Sequence, residues 1–127
     1  MNPTETRILL IEDDAFIGNL ASTNLAKAGL IFTHVTSAEE ARREIEKSPP
    51  NLILLDLVLP GKDGFTFLEE LKKDEKTKLI PVIIVSNLGS KEEINRGMLL
   101  GADTYFVKSN TMPDEIIRRI REKLKIP

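Results

Sequence analysis

Residues 51–65, NLILLDLVLPGKDGF, contain a run of four apolar residues that ends at a carboxylate. The run Leu52–Leu55 has no polar position, which is typical of a parallel strand covered on both faces. Asp56 follows it directly, and the turn residues Pro60 and Gly61 come soon after. A carboxylate at the edge of a core costs free energy unless it is paired or used chemically. The segment therefore predicts a central strand with a candidate functional acid at its carboxyl end.

Four further apolar runs have the length of strands, and segments of helical period separate them. These runs are Arg7–Ile11, 32–36, 82–85 and Thr104–Val107. The run 32–36, FTHVT, alternates in polarity and is predicted to lie at an edge of the sheet. Helix signals are placed accordingly: Gly29 as a C-cap, capping-box spacing at Ser37/Glu40 and Ser90/Glu93, Asp63-Gly64 before the third helix and Pro113 at the start of the last.

Strands and helices thus alternate five times, joined by short connections. This order predicts an α/β protein with a parallel sheet, right-handed crossovers and helices on both faces. The predicted elements fill the chain from about residue 7 to 125, so residues 1–127 are expected to form one domain.

Composition excludes several classes of protein. The 127 residues are 41% hydrophobic and 30% charged, as in ordinary soluble globular proteins. No apolar run approaches the ~20 residues that cross a bilayer, and the N-terminus has acids where a signal peptide has basic residues. A cytoplasmic location is therefore expected. Without cysteine, disulfides, zinc–thiolate sites and thiol catalysis are excluded, and a net charge of −2 gives no general attraction to nucleic acid.

Complementary chemical groups follow four of the five predicted strands. In an open parallel sheet, ligands bind beyond the carboxyl ends of the strands. The groups expected there are the acidic run Glu12-Asp13-Asp14 after the first strand, Asp56 after the third, Ser86 after the fourth and Lys108 after the fifth.

This set of groups suits magnesium-assisted phosphoryl transfer. Clustered carboxylates repel one another, and Mg²⁺ relieves the repulsion while keeping positions open for phosphate oxygens. A carboxylate can accept a phosphoryl group as an acyl phosphate, with Lys108 and Ser86 contacting phosphate oxygens. The simpler alternative is a structural ion pair between Lys108 and Asp56. Both hold if that pair is the resting state of the site.

Other sites common in this fold class are not indicated. The turn after the first strand, IEDDAF, lacks the glycines of dinucleotide and P-loop sites, and its acids disfavour a flavin phosphate. The only histidine, His34, is expected to be a solvated residue of the edge strand, so a Ser-His-Asp hydrolase does not fit.

Four motifs, in order, resemble the receiver domain of two-component response regulators, the CheY-like family. They are LLIEDD, DLVLPGKDG with the pattern D-x-x-x-P-x-x-x-G, IPVIIVS and GADTYFVK. The resemblance covers nearly all of the chain. It implies a flavodoxin-like (βα)5 fold with five parallel strands in the order 2-1-3-4-5, and a signalling protein that is no conventional enzyme.

The resemblance also implies roles for individual residues. Asp56 would be the phosphoacceptor, Ser86 would bind the phosphoryl group, and Lys108 would pair with it. Mg²⁺ would be held by Asp13 and Asp56, by Glu12 through a water, and by the backbone carbonyl of Val58. The acidic run leaves Asp14 as a helix N-cap.

The family's signalling mechanism adds a switch and partners. Tyr105 occupies the family's aromatic switch position, and residues 90–125 (fourth helix, fifth strand, fifth helix) would form the output surface. The phosphoryl donor would be a sensor histidine kinase or a histidine phosphotransfer protein, docking near Ile17. A downstream output protein or domain is implied, but neither nucleic-acid nor membrane binding by this chain. Dimerisation of the phosphorylated form is left open.

Three positions depart from the family pattern. Ser109 follows Lys108 where proline is usual, so a cis peptide is not expected there. Asn87 replaces a small residue, and Gly97 replaces the common alanine, which should soften the fourth helix. These departures keep open a phosphorylation-independent pseudo-receiver that acts as a protein-interaction module. A third alternative, an aspartyl-phosphate hydrolase of the haloacid-dehalogenase type, lacks its D-x-D motif at Asp56-Leu57-Val58.

Overall fold

A single five-stranded parallel sheet forms the centre of the fold, with strand order β2-β1-β3-β4-β5. The computed structural model describes residues 6–126, without the side chains of residues 15–20. Its elements are β1 (Arg7–Ile11), α1 (Ala15–Lys27), β2 (Ile31–Val35), α2 (Ala38–Lys47), β3 (Leu52–Leu55), α3 (Gly64–Lys73), β4 (Val82–Ser86), α4 (Lys91–Leu99), β5 (Thr104–Val107), a 3₁₀ turn (Lys108–Asn110) and α5 (Pro113–Leu124). The predicted fold class and strand order are confirmed.

The two faces of the sheet carry separate hydrophobic clusters, because successive strand residues point to opposite sides. Leu9 and Ile11 of β1 pack with α2 and α3, whereas Ile8 and Leu10 pack with α1 and α5. β3 is buried at all four positions. The nearly unbroken apolar runs at β3 and β4 are thus explained by helices on both faces.

The edge strand β2 begins and ends one residue earlier than predicted. Ile31 pairs with Arg7 of β1, so the ladder includes it. Thr36 leaves the ladder because its backbone N–H and its hydroxyl both donate to the carboxylate of Glu40. The same contact corrects the predicted capping box at Ser37: Ser37 does cap α2, but the Glu40 carboxylate bonds to Thr36 instead.

The other helix signals are confirmed. Ser90 and Glu93 form a reciprocal capping box at α4, Asp63 caps α3, and Pro113 begins α5. Gly29, just past α1, has a φ of 76°, which glycine adopts without strain. Within residues 6–126, no helix is long and apolar enough to span a membrane.

Candidate functional site

A buried ion cluster lies where β1, β3 and β5 end. The Lys108 ammonium donates to both carboxylate oxygens of Glu12 at 2.8 Å and to Oδ2 of Asp56 at 3.1 Å. The side chains of Glu12 and Asp56 are 5% and 8% exposed, and that of Lys108 is 17% exposed. The Lys108–Asp56 ion pair considered from the sequence is therefore present, but Lys108 bonds Glu12 as well.

Burial and the neighbouring charged groups shift the pKa values of Glu12 and Lys108. Desolvation raises the pKa of Glu12 to about 7, and Asp56 adds to the rise while Lys108 opposes it. Burial alone would lower the pKa of Lys108, but its hydrogen bond to Glu12 and the two neighbouring carboxylates outweigh this effect and raise it. The ammonium is thus held firmly in its charged form.

Three acidic side chains at this edge are close enough to bind one cation. Single carboxylate oxygens of Glu12, Asp13 and Asp56 all lie within 4.8 Å of one another. Asp13 is exposed to solvent, whereas the other two are buried. Hard oxygen donors with an open side suit Mg²⁺, which keeps several waters. This donor set therefore fits the metal that the sequence predicted.

Both oxygens of Asp56 are engaged by its surroundings. Oδ2 accepts from Lys108, and Oδ1 accepts from the backbone N–H of Val58 at 3.2 Å. The backbone N–H of Asp56 donates to the carbonyl of Ile11 on β1. The carboxylate is therefore fixed in position by two strands and its own turn, while the Val58 side chain is half exposed at the rim.

Ser86 lies at the end of β4 but bonds within its own loop. It is fully buried, and its hydroxyl oxygen accepts from the backbone N–H of Leu88 at 3.3 Å. In the hydrogen bonds of the described residues, Ser86 is not joined to Asp56 or Lys108. The structure thus brings Glu12, Asp13, Asp56 and Lys108 together and holds Ser86 beside them.

Tyr105 is joined to the same loop. Its hydroxyl donates to the carbonyl of Leu88, and the half-buried ring packs against the cluster on the α2–α3 side of the sheet. Desolvation raises its pKa, with further contributions from the charges of Glu93 and Asp56. Leu88 therefore connects Ser86 through its N–H and Tyr105 through its carbonyl.

His34 lies on the edge strand as expected, but it is less solvated than predicted. His34 is half-buried on β2, and its Nε2 lies 3.0 Å from the carbonyl oxygen of Glu12. It thereby holds the turn that carries the acidic run. No local signal indicated this contact, because it joins residues 22 positions apart across two strands.

The loop after Lys108, in which Ser109 stands where the family resemblance suggests proline, begins with a short helical turn. Residues 108–110 form a 3₁₀ turn, and Thr111 donates through its hydroxyl to the carbonyl of Val107. No cis peptide bond occurs in the part of the chain that the structure describes.

Ile17, near which the phosphodonor was expected to dock, lies among the side chains outside the described ones.

Comparisons with known proteins agree with this geometry. The family described as "Response regulator receiver domain" matches residues 8–121. The chain therefore belongs to the response regulator receiver domain family, a family of signalling modules.

Curated relatives include longer regulators. The chain is 37% identical over 119 residues to the DNA-binding dual master transcriptional regulator RpaA of Synechocystis, covering 94% of this chain and 49% of RpaA. It is 34% identical over 119 residues to the phosphate regulon transcriptional regulatory protein PhoB of Escherichia coli, covering 94% of this chain and 52% of PhoB. The chain thus spans about half the length of these relatives.

Solved structures are similar over nearly the whole chain. The Francisella response regulator 1452 receiver domain has a TM-score of 0.87 at 31% identity and 98% coverage of both chains. The BeF3-activated receiver domain of Klebsiella pneumoniae RstA gives 0.86 at 29% identity, covering 94% of this chain and 98% of its own. The Mn²⁺-bound form of response regulator Rcp1 gives 0.79 at 30% identity, covering 92% of both chains.

Proposed function

We propose that this chain is a phosphorylation-controlled receiver that accepts a phosphoryl group on Asp56 and switches a protein-interaction surface. The single observation that carries the proposal is the position of Asp56. Its carboxylate ends a fully buried strand, 3.1 Å from a lysine ammonium and within a cluster of three acids. A rigid nucleophile beside a compact cation is what phosphoryl transfer requires.

Mg²⁺ would be held by the carboxylates of Asp13 and Asp56, by Glu12 through a water and by the carbonyl of Val58. The bound metal would neutralise charge that develops on the phosphoryl oxygens. Its expected effect on the resting site is to replace part of the charge compensation that Lys108 now provides. The exposed side of Asp13 supports an approach of metal and donor from solvent.

The transfer step joins Asp56 to phosphorus. A carboxylate oxygen of Asp56 attacks the phosphorus of a phosphohistidine, a phosphorus–oxygen bond forms, and the phosphorus–nitrogen bond breaks. The released imidazole takes a proton from solvent. Lys108 then pairs with a phosphoryl oxygen instead of the bare carboxylate, and the Ser86 hydroxyl donates to another.

The switch follows from a change of partner for Ser86. When its hydroxyl turns to the phosphoryl group, the bond to the Leu88 N–H is lost, and the loop that also contacts Tyr105 is repositioned. The output surface is formed by α4, β5 and α5, within residues 90–125. Phosphorylation changes the population of conformations because the covalently bound phosphoryl group interacts more favourably with one of them than with the other.

The partners of this chain are a sensor histidine kinase or phosphotransfer protein and a downstream output protein or domain. The names of RpaA and PhoB, which are transcriptional regulators roughly twice as long as the matched segment, support an output function in a longer protein.

Intact mass spectrometry after incubation with Mg²⁺ and a small acyl phosphate tests the proposal. We expect one added phosphoryl group that requires Mg²⁺ and is absent from Asp56→Asn. Asp63→Asn is the matched control, because Asp63 is an aspartate outside the cluster whose capping bond an asparagine can still make. That control should be labelled like the wild type.

Two other results would change the conclusion. An adduct that persists in Asp56→Asn would place the nucleophile elsewhere. If neither acyl phosphate nor a panel of phosphorylated histidine donors labels the chain, and Mg²⁺ binding is undetectable by calorimetry, the pseudo-receiver function applies. The ion cluster around Lys108 would then be purely structural.

A further inference from the structure

Gly97 lies in the interior of α4 and is the buried residue of that helix. Glycine is less favourable than alanine in a helix interior, so its presence there calls for a packing reason. The sequence alone suggested only a softer helix. The contacts of Gly97 supply a more specific explanation.

A Cβ atom at position 97 would overlap two side chains. It would lie 2.8 Å from Cδ1 of Ile84, and 2.9 and 3.0 Å from Cδ2 and Cε2 of the Tyr105 ring. These distances are well below ordinary carbon–carbon contact of about 3.5–4.0 Å. The absence of a Cβ is therefore what allows the ring to lie against α4.

If position 97 gained a methyl group, the tyrosine ring would be the group to move. Ile84 is fully buried in the sheet, with neighbours on every side. Tyr105 is only half-buried and lies on the outermost strand β5, so its ring can turn toward solvent. Because the ring is rigid, moving its edge moves the hydroxyl as well.

The position of that hydroxyl affects the loop beside the phosphorylation site. It donates to the carbonyl of Leu88, whose N–H donates to the buried Ser86 hydroxyl oxygen. Gly97, Tyr105, Leu88 and Ser86 thus form a continuous series of contacts from α4 to the end of β4.

We infer that Gly97 is a positioning residue for Tyr105. It determines the fraction of unphosphorylated molecules in which the ring packs against α4 and its hydroxyl donates to the Leu88 carbonyl, the arrangement called seated below. Its consequence for signalling rests on the proposed function, whereas the seating of the ring does not. With alanine at position 97, the ring moves away from α4, and the Leu88 carbonyl loses the hydrogen bond from the Tyr105 hydroxyl.

Tyr105 is the single tyrosine of the chain, and there is no tryptophan, so one label reports on the ring. The 127-residue chain would be prepared with tyrosine carrying ¹³C at Cζ, which adds no volume, and studied by NMR as wild type, Gly97→Ala and Asn95→Ala. Asn95 is exposed on the same helix, so its alanine variant controls for helix propensity.

We expect the resonance of seated Tyr105 to be the major one in the wild type and in Asn95→Ala, and to become the minor one in Gly97→Ala. The same label follows ionisation of the phenol. The raised pKa of Tyr105, caused by burial and by Glu93 and Asp56, should return toward its ordinary value only in Gly97→Ala. Unchanged resonance and unchanged titration in Gly97→Ala would overturn the inference.

A double-mutant comparison covers the outcome that Gly97→Ala folds poorly. In the wild-type background the substitution should lower the melting temperature, because of the clash with the ring. In a Tyr105→Ala background the loss should be clearly smaller, since the ring is gone and only the contact with Cδ1 of Ile84 remains. An equal loss in both backgrounds would show that the ring is not the residue displaced, and would also overturn the inference.

Phosphorylation of the chain and the position of the Tyr105 ring are measured by separate experiments. The mass of the wild-type acyl phosphate adduct tests the proposed function and does not depend on Tyr105. If no adduct forms but the Tyr105 signals change as expected, the proposed function fails and the inference stands. If the adduct forms and the signals do not change, only the inference fails.

Discussion

At the scale of single residues, Glu12 and Asp56 share one ammonium group. Two buried carboxylates beside Lys108 leave the cluster with an excess negative charge when both are ionised. The site reduces this charge by favouring a proton on Glu12, whose pKa rises to about 7 chiefly through burial. The stability of the metal-free chain should therefore depend on pH in a range where ordinary carboxylates do not titrate.

The expected direction follows from proton linkage. The folded pKa of Glu12, about 7, lies above the unfolded value of 4.5. The folded state therefore binds more protons between these values, and the stabilisation is complete below pH 4.5 and lost as the pH rises through about 7. A shift of this size corresponds to a contribution on the order of 3 kcal/mol.

Glu12→Gln, a neutral variant of similar shape, should remove this dependence. In a chelating buffer, the free energy of unfolding of the variant minus that of the wild type should increase steadily as the pH rises from 4.5 to above 7, because only the wild type loses the contribution of Glu12. Urea unfolding at a series of pH values measures the difference. Glu92→Gln, at an exposed position of α4, is the control and should follow the wild-type curve. Parallel curves for Glu12→Gln and the wild type would contradict the assignment.

A metal ion bound by these acids would compete with Lys108 for the same oxygens. The Lys108 ammonium lies 2.8 Å from Glu12 and 3.1 Å from Asp56, where it repels an incoming cation. Lys108→Met should therefore bind Mg²⁺ more tightly, by roughly tenfold, which corresponds to about 1.4 kcal/mol of removed repulsion. Isothermal calorimetry measures this, with Lys73→Met as control because Lys73 is exposed on α3. Weaker binding by Lys108→Met would mean that Lys108 organises the acids rather than competing for them.

At the scale of the elements, the turn from β3 into α3 depends on one glycine. A Cβ on Gly64 would lie 2.5 Å from Cα and 2.6 Å from the carbonyl oxygen of Leu57, both backbone atoms that cannot turn away. The N–H of Gly64 also donates to that carbonyl. This closure fixes the chain next to Asp56, and it gives a physical reason for the last position of the D-x-x-x-P-x-x-x-G motif.

Gly64→Ala should consequently cost about 3 kcal/mol of unfolding free energy, because overpacking against backbone has no inexpensive relief. The control is Gly89→Ala, where a Cβ would crowd the side chain of Val107, at 3.0 Å, and would lie at ordinary contact distance, 3.8 Å, from the nearest backbone atom. Thermal and urea unfolding compare the two variants. Similar losses for both would show that the contact with Leu57 is not special.

Local patterns predicted most of these elements well. The buried strands β1 and β3 and the starts of α3, α4 and α5 were predicted as the structure has them, because apolar runs and caps act within a few residues. The end of β2 was not, since it depends on a Glu40 carboxylate that takes Thr36 out of the ladder. At an edge strand, such competition from a neighbouring helix leaves no signal in the run itself.

The site was predictable only as far as topology determines it. Parallel strands deliver their carboxyl ends to one edge, so the meeting of Glu12, Asp56 and Lys108 could be expected from their positions in the chain. The sharing of Lys108 by both acids could not, nor could the contact of His34 with the Glu12 carbonyl. Both depend on distances between side chains and strands that are set only when the whole sheet has assembled.

At the scale of the whole molecule, the sheet is protected at its centre and open at its edges. All four residues of β3 are buried, whereas Ile31 of β2 is 40% exposed. Local opening should therefore start at the edges, while β3 opens only with global unfolding. Native-state hydrogen exchange should show amide protection equal to the full unfolding free energy for β3 and a lower value for β2. Equal protection for both strands would indicate a single cooperative unit.

The bond between Lys108 and Glu12 joins residues 96 positions apart. A ribosome makes all the acids of this cluster long before it makes the amine. A nascent or prematurely terminated chain that stops before β5 would hold Glu12 and Asp56 together without their cation, which costs free energy. Completion of the last strand thus completes the charge compensation of this cluster.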